Sequence, residues 1–92
     1  MLVTYYGHSC FSVVVNGKIL LFDPFIEGNP LATSIDKKKI KADYILVSHG
    51  HGDHTGDLIE LARQTNATVI CAYEIHTWLH SHGITKTHSM NI

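Results

Sequence analysis

Four potential metal ligands lie within six consecutive positions of the sequence, in the stretch HGHGDH. These residues are His49, His51, Asp53 and His54. Imidazole nitrogens and carboxylate oxygens both bind divalent ions such as zinc, at about 2.0–2.2 Å. The interleaved glycines let the backbone fold tightly enough for alternate side chains to meet at one centre. The other interpretation is a polar loop whose histidines only face water, but the spacing favours a metal site.

The elements on either side of this stretch must position it. An apolar run at residues 44–48 (YILVS) predicts a strand buried on both faces, and apolar residues at helical spacing predict an amphipathic helix over about residues 56–66. Ligands in open α/β sheets bind in the crevice beyond the carboxyl ends of the strands. The HGHGDH stretch is therefore predicted where such a fold binds its ligand.

The amino-terminal residues predict an antiparallel start to the sheet. A short strand is predicted at residues 2–6, followed by a hairpin of residues 11–15 (FSVVV) and 18–22 (KILLF). Asn16-Gly17, between the two hairpin strands, is a dipeptide that readily accepts the positive φ angles of a type I′ turn.

The remaining residues predict a loop, a strand and a helix. Residues 24–43 indicate a loop with one short helix, residues 68–72 (TVICA) a strand, and residues 74–82 a second helix. Gly83 stands where a glycine ends a helix. The side chains predicted to face inward from this helix are Ile75, Trp78 and Leu79.

This order of elements places the chain in the α/β class, or α+β by some schemes. We expect a mixed sheet in which a β-hairpin is followed by βαβα units. A length of 92 residues with 45% hydrophobic content suits a single unit, residues 1–92. A chain this short buries only about 60–65% of the surface that its unfolded form exposes, so its core is marginal unless a metal, a partner or further sequence adds to it.

The composition argues against several partners. Seven Lys and Arg against eight Asp and Glu leave no basic face for nucleic acid or anionic lipid. No segment has the pattern of a signal peptide or the ~20 apolar residues of a membrane span. Cys10 and Cys71 form no C-x-x-C pair, which favours reduced thiols. We therefore expect a cytoplasmic protein with no nucleic-acid or membrane partner.

At the HGHGDH stretch the sequence resembles a known family. It has the H-x-H-x-D-H signature of the metallo-β-lactamase-fold hydrolases, and the resemblance extends to GHSCF at residues 7–11 and LLFDPF at residues 20–25. Together these motifs resemble a small branch of metal-dependent hydrolases related to the ascorbate-phosphate lactonases. The resemblance implies a four-layered αββα sandwich built from two similar halves, with these residues as the truncated amino-terminal half.

The resemblance also implies a site with two divalent ions. His49 and His51 would hold the first ion, and Asp53 and His54 the second. Zinc is the first expectation, with manganese or iron as alternatives, because mixed imidazole and carboxylate ligation suits several ions. A metal-bound hydroxide would attack an ester, lactone or phosphodiester, since a bound cation brings the pKa of water from about 15.7 toward ~7. Asp53 would also be catalytic, by orienting the attacking water or taking its proton.

Two further residues are candidates for the surroundings of this site. Asp23, in LLFDP, resembles the family's buried aspartate that holds the histidine loop by hydrogen bonds, which would orient the ligands without binding the metal. An Asp-Pro turn that simply ends the strand explains the same residue equally well. His8, in GHSCF, lies close to the metal pocket in the resembling branch, and a plain loop histidine is the alternative.

The other histidines carry weaker signals. His76 and His80 are four positions apart on the second predicted helix, a spacing that can place two imidazoles on one metal. Their helical positions lie away from the residues predicted to face inward, which favours surface histidines. His88 resembles the segment that leads to a glycine-rich stretch in the same branch, and no role is assigned to it.

Three functions compete on these residues. The first is a metal-dependent hydrolase acting on a small-molecule substrate, inactive as this fragment, because two protein ligands per ion fall short of the three typical of catalytic zinc. The second is a non-catalytic metal-binding or regulatory module, and the third an interaction domain with a vestigial site. A half sandwich would also expose sheet surface, through which the chain is expected to form homo-oligomers.

Overall fold

The computed structural model describes residues 2–7, 10–24, 38, 40–48 and 58–90. Six strands and two helices lie within these ranges, and the strands form one sheet whose order follows the order of the chain. The elements are β1 (Leu2–Gly7), β2 (Cys10–Val15), β3 (Lys18–Phe22), β4 (Tyr44–Leu46), α1 (Leu58–Thr65), β5 (Thr68–Ala72), α2 (Tyr73–Ser81) and β6 (Thr87–Met90).

The predicted hairpin forms between β2 and β3. The two strands are antiparallel, with Val15 paired to Lys18 at the closed end. Asn16 and Gly17 both have positive φ, 50° and 77°, as a type I′ turn requires. β1 pairs antiparallel with β2 on its other side. The antiparallel start of the sheet is therefore confirmed.

Strands β3 to β6 are parallel, and each adds to the sheet beside the one before it. Right-handed crossovers that all progress in one direction place their helices on the same face of the sheet. Leu21, Ile45 and Val69 lie in register on this face and are fully buried. They join Leu61 of α1 and Leu79 of α2 in one hydrophobic core.

The opposite side of the sheet, which we call the open face, carries a row of apolar side chains in register. The row consists of Tyr5, Phe11, Phe22, Leu46 and Ile70. The rings of Phe11 and Phe22 stack with centroids 4.6 Å apart. Tyr5 is 63% exposed, because neither helix of the described ranges covers this face. The sheet thus has one face buried by helices and one apolar face that the described helices leave partly exposed.

Several sequence-based boundaries differ from the structure. β4 is shorter than predicted, and its first residue, Tyr44, is exposed because it lies on the open face, so burial on both faces was wrong there. α1 is observed from Leu58, and α2 begins one residue earlier than predicted. β6 was not predicted. The loop expected at residues 24–43 lies mostly outside the described residues.

The inward orientation predicted for Trp78 was wrong. Its side chain is 38% exposed and its ring lies against His82, with centroids 5.0 Å apart. The buried side chains of α2 are Ile75 and Leu79, which lie four positions apart on one face of the helix. Gly83 has φ 82° and follows the last helical turn, as predicted.

Both cysteines are buried, and they form no disulfide with each other. Cys10 faces the core, and burial raises the pKa of the Cys71 thiol. Among the described helices, none is long and apolar enough to span a bilayer.

Candidate functional site

The carboxyl ends of the parallel strands meet at one edge of the sheet. Asp23 follows β3 at this edge, and Ser48 follows β4 two residues after its end. The Ser48 backbone N–H donates to Asp23 Oδ1 at 2.7 Å, and the Ser48 hydroxyl donates to Asp23 Oδ2 at 2.9 Å. A single serine therefore contacts both oxygens of the carboxylate.

The backbone of Asp23 explains how its side chain reaches this position. Its N–H donates to the carbonyl of Leu46 at 2.8 Å, which continues the β3–β4 ladder by one residue. Its φ of 46° then lies in the left-handed region, which Asp and Asn tolerate better than most residues. The side chain is only 9% exposed, and the following Pro24 is fully buried. A buried carboxylate in an unusual backbone conformation is typical of a functional position.

The hydrogen bonds of Asp23 fix the direction in which the chain leaves β4. Ser48 is the residue immediately before His49, the first residue of HGHGDH. On the other side, the N–H of Val47 donates to the carbonyl of Ile70 at 3.0 Å, which ties the same segment to β5. The chain therefore enters the HGHGDH stretch from a backbone held by both neighbouring strands.

The end of this segment is also anchored, since α1 begins at Leu58, whose side chain is fully buried. Residues 49–57 thus connect two fixed points, one on the sheet edge and one in the core. His49, His51, Asp53 and His54 lie outside the described residues, as does His8. The structure shows the residues that flank this segment, Ser48 and Leu58, and not the potential ligands themselves.

The donor set suits a divalent transition-metal ion. Three imidazoles and one carboxylate follow an anchored strand end, and these are ligands that zinc, manganese and iron accept. Within the described ranges, no three His, Cys, Asp or Glu residues lie close enough to hold an ion together. A site with three such ligands therefore needs residues outside the described ranges, and the sequence offers those of the HGHGDH stretch.

The histidines of α2 belong to a separate cluster. His80 is exposed, as expected of a surface residue, whereas His76 is half-buried. Their ring centroids are 4.3 Å apart, and both rings reach the hydroxyl of Thr87 on β6. His88, the next residue of β6, is exposed.

Sequence reasoning missed two residues. Ser48 was assigned only to the end of a strand, although a serine directly before a ligand-rich stretch is a signal for a hydrogen bond that holds the turn. Thr87 was missed because β6 was not predicted.

The chain is similar to known proteins of one family. Residues 3–86 match the family model described as the metallo-beta-lactamase superfamily. A UPF0173 metal-dependent hydrolase of Bacillus cereus strain Q1 is 49% identical over 92 residues, which are 100% of this chain and 40% of the relative. A relative with the same description in Bacillus anthracis strain CDC 684 is 48% identical over the same length.

A solved structure also resembles the chain closely. It is that of Igni18, described as a novel metallo hydrolase from the hyperthermophilic archaeon Ignicoccus hospitalis. The TM-score is 0.86 at 36% identity, and the match covers 98% of this chain and 39% of Igni18. The chain therefore spans about two-fifths of the length of the proteins it matches.

Proposed function

Because this chain belongs to the metallo-beta-lactamase superfamily, we propose that its HGHGDH stretch binds divalent metal ions and supplies half of a hydrolytic site. The fold class predicted from the sequence is confirmed: the mixed sheet, with a hairpin followed by βαβα, matches the amino-terminal portion of this αββα fold. The relatives described above are named as metal-dependent hydrolases, which supports the same reaction class here.

The observation that carries the proposal is the contact of Asp23 with Ser48. A carboxylate that accepts two hydrogen bonds from the residue before His49 acts on the direction of the ligand-bearing backbone. Partners of this kind orient the ligands of a metal site and change metal affinity when they are removed. We assign Asp23 this positioning role.

The residues of the stretch divide between two ions in this proposal. His49 and His51 hold the first, and Asp53 and His54 hold the second, with zinc as the expected metal and manganese or iron as alternatives. When bound, the ions lower the pKa of water toward ~7 and polarise the bond under attack. His8 lies near the pocket without binding a metal.

The reaction class is hydrolysis of an ester, lactone or phosphodiester in a small-molecule substrate. In the proposed reaction the Asp53 carboxylate would either orient the attacking water or accept its proton. The Asp23 carboxylate touches neither water nor substrate and acts through the backbone of Ser48. In this proposal the imidazoles of the stretch bind the metals. Other residues of the pocket bind the substrate.

We propose further that residues 1–92 form one unit that is inactive alone. Two protein ligands for each ion fall short of the three typical of catalytic zinc. The relatives are long enough to carry additional ligands, since this chain covers 40% of the relative from Bacillus cereus. Metal binding without turnover is the outcome expected of the 92-residue chain, and also of a non-catalytic metal-binding module.

The open face supports a proposal about partners. Its row of five in-register apolar side chains is a surface that water solvates poorly. We propose that a second copy of the chain covers it when the 92 residues are isolated. Nucleic acid and membrane are not proposed as partners. We propose a cytoplasmic location, which agrees with two buried cysteines that form no disulfide with each other.

Elemental analysis of the chain purified without chelator tests the metal proposal. About one or two equivalents of zinc, manganese or iron are expected. His51→Ala should lower this content, whereas His82→Ala, which changes an exposed histidine just after α2, should not. Equal metal content in all three proteins would show that the HGHGDH stretch does not bind metal.

Turnover is then measured with a chromogenic ester, a lactone and a phosphodiester, on this chain and on a protein of the relatives' full length. Activity of the longer protein that is lost in its equivalent of His51→Ala supports the hydrolase. Metal binding with no turnover in either protein would favour the non-catalytic module.

A further inference from the structure

Three side chains meet where α2 lies over the edge of the sheet. His76 Nδ1 lies 2.6 Å from Thr87 Oγ1, and His80 Nε2 lies 2.9 Å from the same oxygen. Thr87 pairs with Val69 in the row that faces the helices, which is why its hydroxyl points toward α2. The two imidazoles are adjacent, with centroids 4.3 Å apart.

The tautomers of His76 and His80 set the direction of both hydrogen bonds to Thr87 Oγ1. A neutral imidazole carries its proton on either of its two nitrogens. Each ring can therefore present an unprotonated nitrogen by moving the proton to its other nitrogen, a change that needs no net charge.

We propose that His76 Nδ1 and His80 Nε2 form a second metal site, separate from the HGHGDH stretch, that binds a divalent transition-metal ion such as zinc, nickel or copper. Neutral imidazole nitrogen is a good ligand for these ions. Residues four positions apart on a helix lie on one face, and here both nitrogens are aimed at the same point.

The geometry requires little movement to accept an ion. The nitrogens of the two rings lie 2.6 and 2.9 Å from one oxygen, and an ion with bonds of about 2.0–2.1 Å to imidazole would take a position close to that point. His80 is exposed, which leaves room for water to complete the coordination. The Thr87 hydroxyl holds the two rings in position before the ion arrives.

A bound ion has a structural consequence. Two ligands from successive turns of α2 fix one face of the helix, and their bonds to the ion replace their hydrogen bonds to Thr87. The site thereby stabilises α2 by binding only the folded chain, in which the two nitrogens lie close together.

Titration with Ni²⁺ tests the proposal on the 92-residue chain carrying His51→Ala, which weakens binding by the HGHGDH stretch. Ni²⁺ is paramagnetic, so bound metal should broaden the imidazole signals of His76 and His80 selectively. Calorimetry should give about one equivalent. Adding His80→Ala should weaken binding at least about tenfold, because the second ligand binds intramolecularly.

His82→Ala is the matched control. His82 is an exposed histidine of the same helix end, and its Nδ1 lies 2.9 Å from the carbonyl of Trp78. Its removal should leave Ni²⁺ affinity unchanged. His80→Gln keeps a polar side chain beside Thr87 but has no imidazole. It should weaken binding as His80→Ala does, which would show that the loss does not come from a change in folding. Unchanged affinity in both His80 variants, or equal losses in the His82 variant, would refute the second site.

Discussion

Both carboxylate oxygens of Asp23 accept hydrogen bonds from Ser48, the residue that precedes the HGHGDH stretch. The contact joins the ends of two neighbouring parallel strands, β3 and β4, at the edge of the sheet where the chain enters the HGHGDH stretch. A second aspartate makes a comparable contact at the opposite edge, since Asp43 Oδ2 accepts the N–H of Ile19 at 2.8 Å. Variants of Asp23 and Asp43 therefore show whether a carboxylate affects metal binding only when it lies beside the HGHGDH stretch.

Asp23→Ala should lower both stability and metal affinity. The change removes two hydrogen bonds to a charged acceptor, and we expect the free energy of unfolding to fall by about 1–3 kcal/mol. Metal affinity should fall about 10–100-fold, because the ligand-bearing backbone is no longer oriented. Urea unfolding and calorimetric titration with zinc measure the two effects.

Asp43→Ala is the matched control for that experiment. It removes a carboxylate that also accepts a backbone N–H, that of Ile19 in β3. This contact lies at the end of the strands away from Ser48. Its stability should fall while zinc affinity stays unchanged. Equal losses of zinc affinity in the two variants would mean that Asp23 acts only through global stability.

Stability should decrease at alkaline pH because of Cys71. Burial raises the pKa of its thiol above the ordinary value of 9.0, so the unfolded chain releases this proton at lower pH than the folded chain. The contribution is complete below pH 9.0 and is lost as pH rises from there through the folded pKa. Urea unfolding across this range, in a Cys10→Ala background, should show the loss. A slope that persists unchanged in Cys71→Ala would assign it to other groups.

Tyr44→Lys should reduce self-association of the isolated chain. Tyr44 is 38% exposed on the open face, and a charge there opposes the burial of that face by a second copy. Sedimentation velocity should show a shift from dimer or larger species toward monomer. Tyr73→Lys makes the same chemical change at a 68% exposed position of α2 and should have no such effect. A parent chain that stays monomeric at every concentration would contradict the proposed contact.

Gly83→Ala should destabilise the chain by about 1–2 kcal/mol through its backbone alone. Gly83 has φ 82°, and no atom lies within 4 Å of an added Cβ, so no clash contributes. The conformation supports two hydrogen bonds that end α2, from Gly83 N–H to the His80 carbonyl at 3.1 Å and from Ile84 N–H to the Leu79 carbonyl at 2.9 Å. Thermal unfolding measures the change. Thermal unfolding of Thr77→Ala, at an exposed position within α2, should show little change. A loss as large as that of Gly83→Ala would mean that the effect is not specific to the left-handed position.

The parts of the fold that the sequence predicts well are those set by local chemistry. The hairpin follows from Asn16-Gly17 between two apolar runs, and β5 has the predicted bounds, residues 68–72. Gly83 ends α2 because a left-handed residue is needed there. In each case the deciding interaction lies within a few residues along the chain.

The parts that the sequence does not predict depend on distant neighbours. β6 has a polar composition, THSM, and becomes a strand because β5 offers an unpaired edge beside it. Trp78 stays partly exposed because α2 turns Ile75 and Leu79 toward the core, and the ring of Trp78 lies against His82 instead. For the candidate site, the sequence identified HGHGDH and singled out Asp23, but the partnership of Asp23 with Ser48 spans 25 positions and appears only in the fold.

The sheet order, in which every strand lies beside its predecessor in the chain, bears on how the protein is made. Ribosomes add about 5–20 residues per second, which is slow compared with the ~1–10 μs in which a hairpin forms. Each strand of this sheet therefore finds its partner already synthesised when it leaves the ribosome. Assembly of the edge that carries Asp23 and Ser48 can finish during translation, before any later part of a longer chain exists.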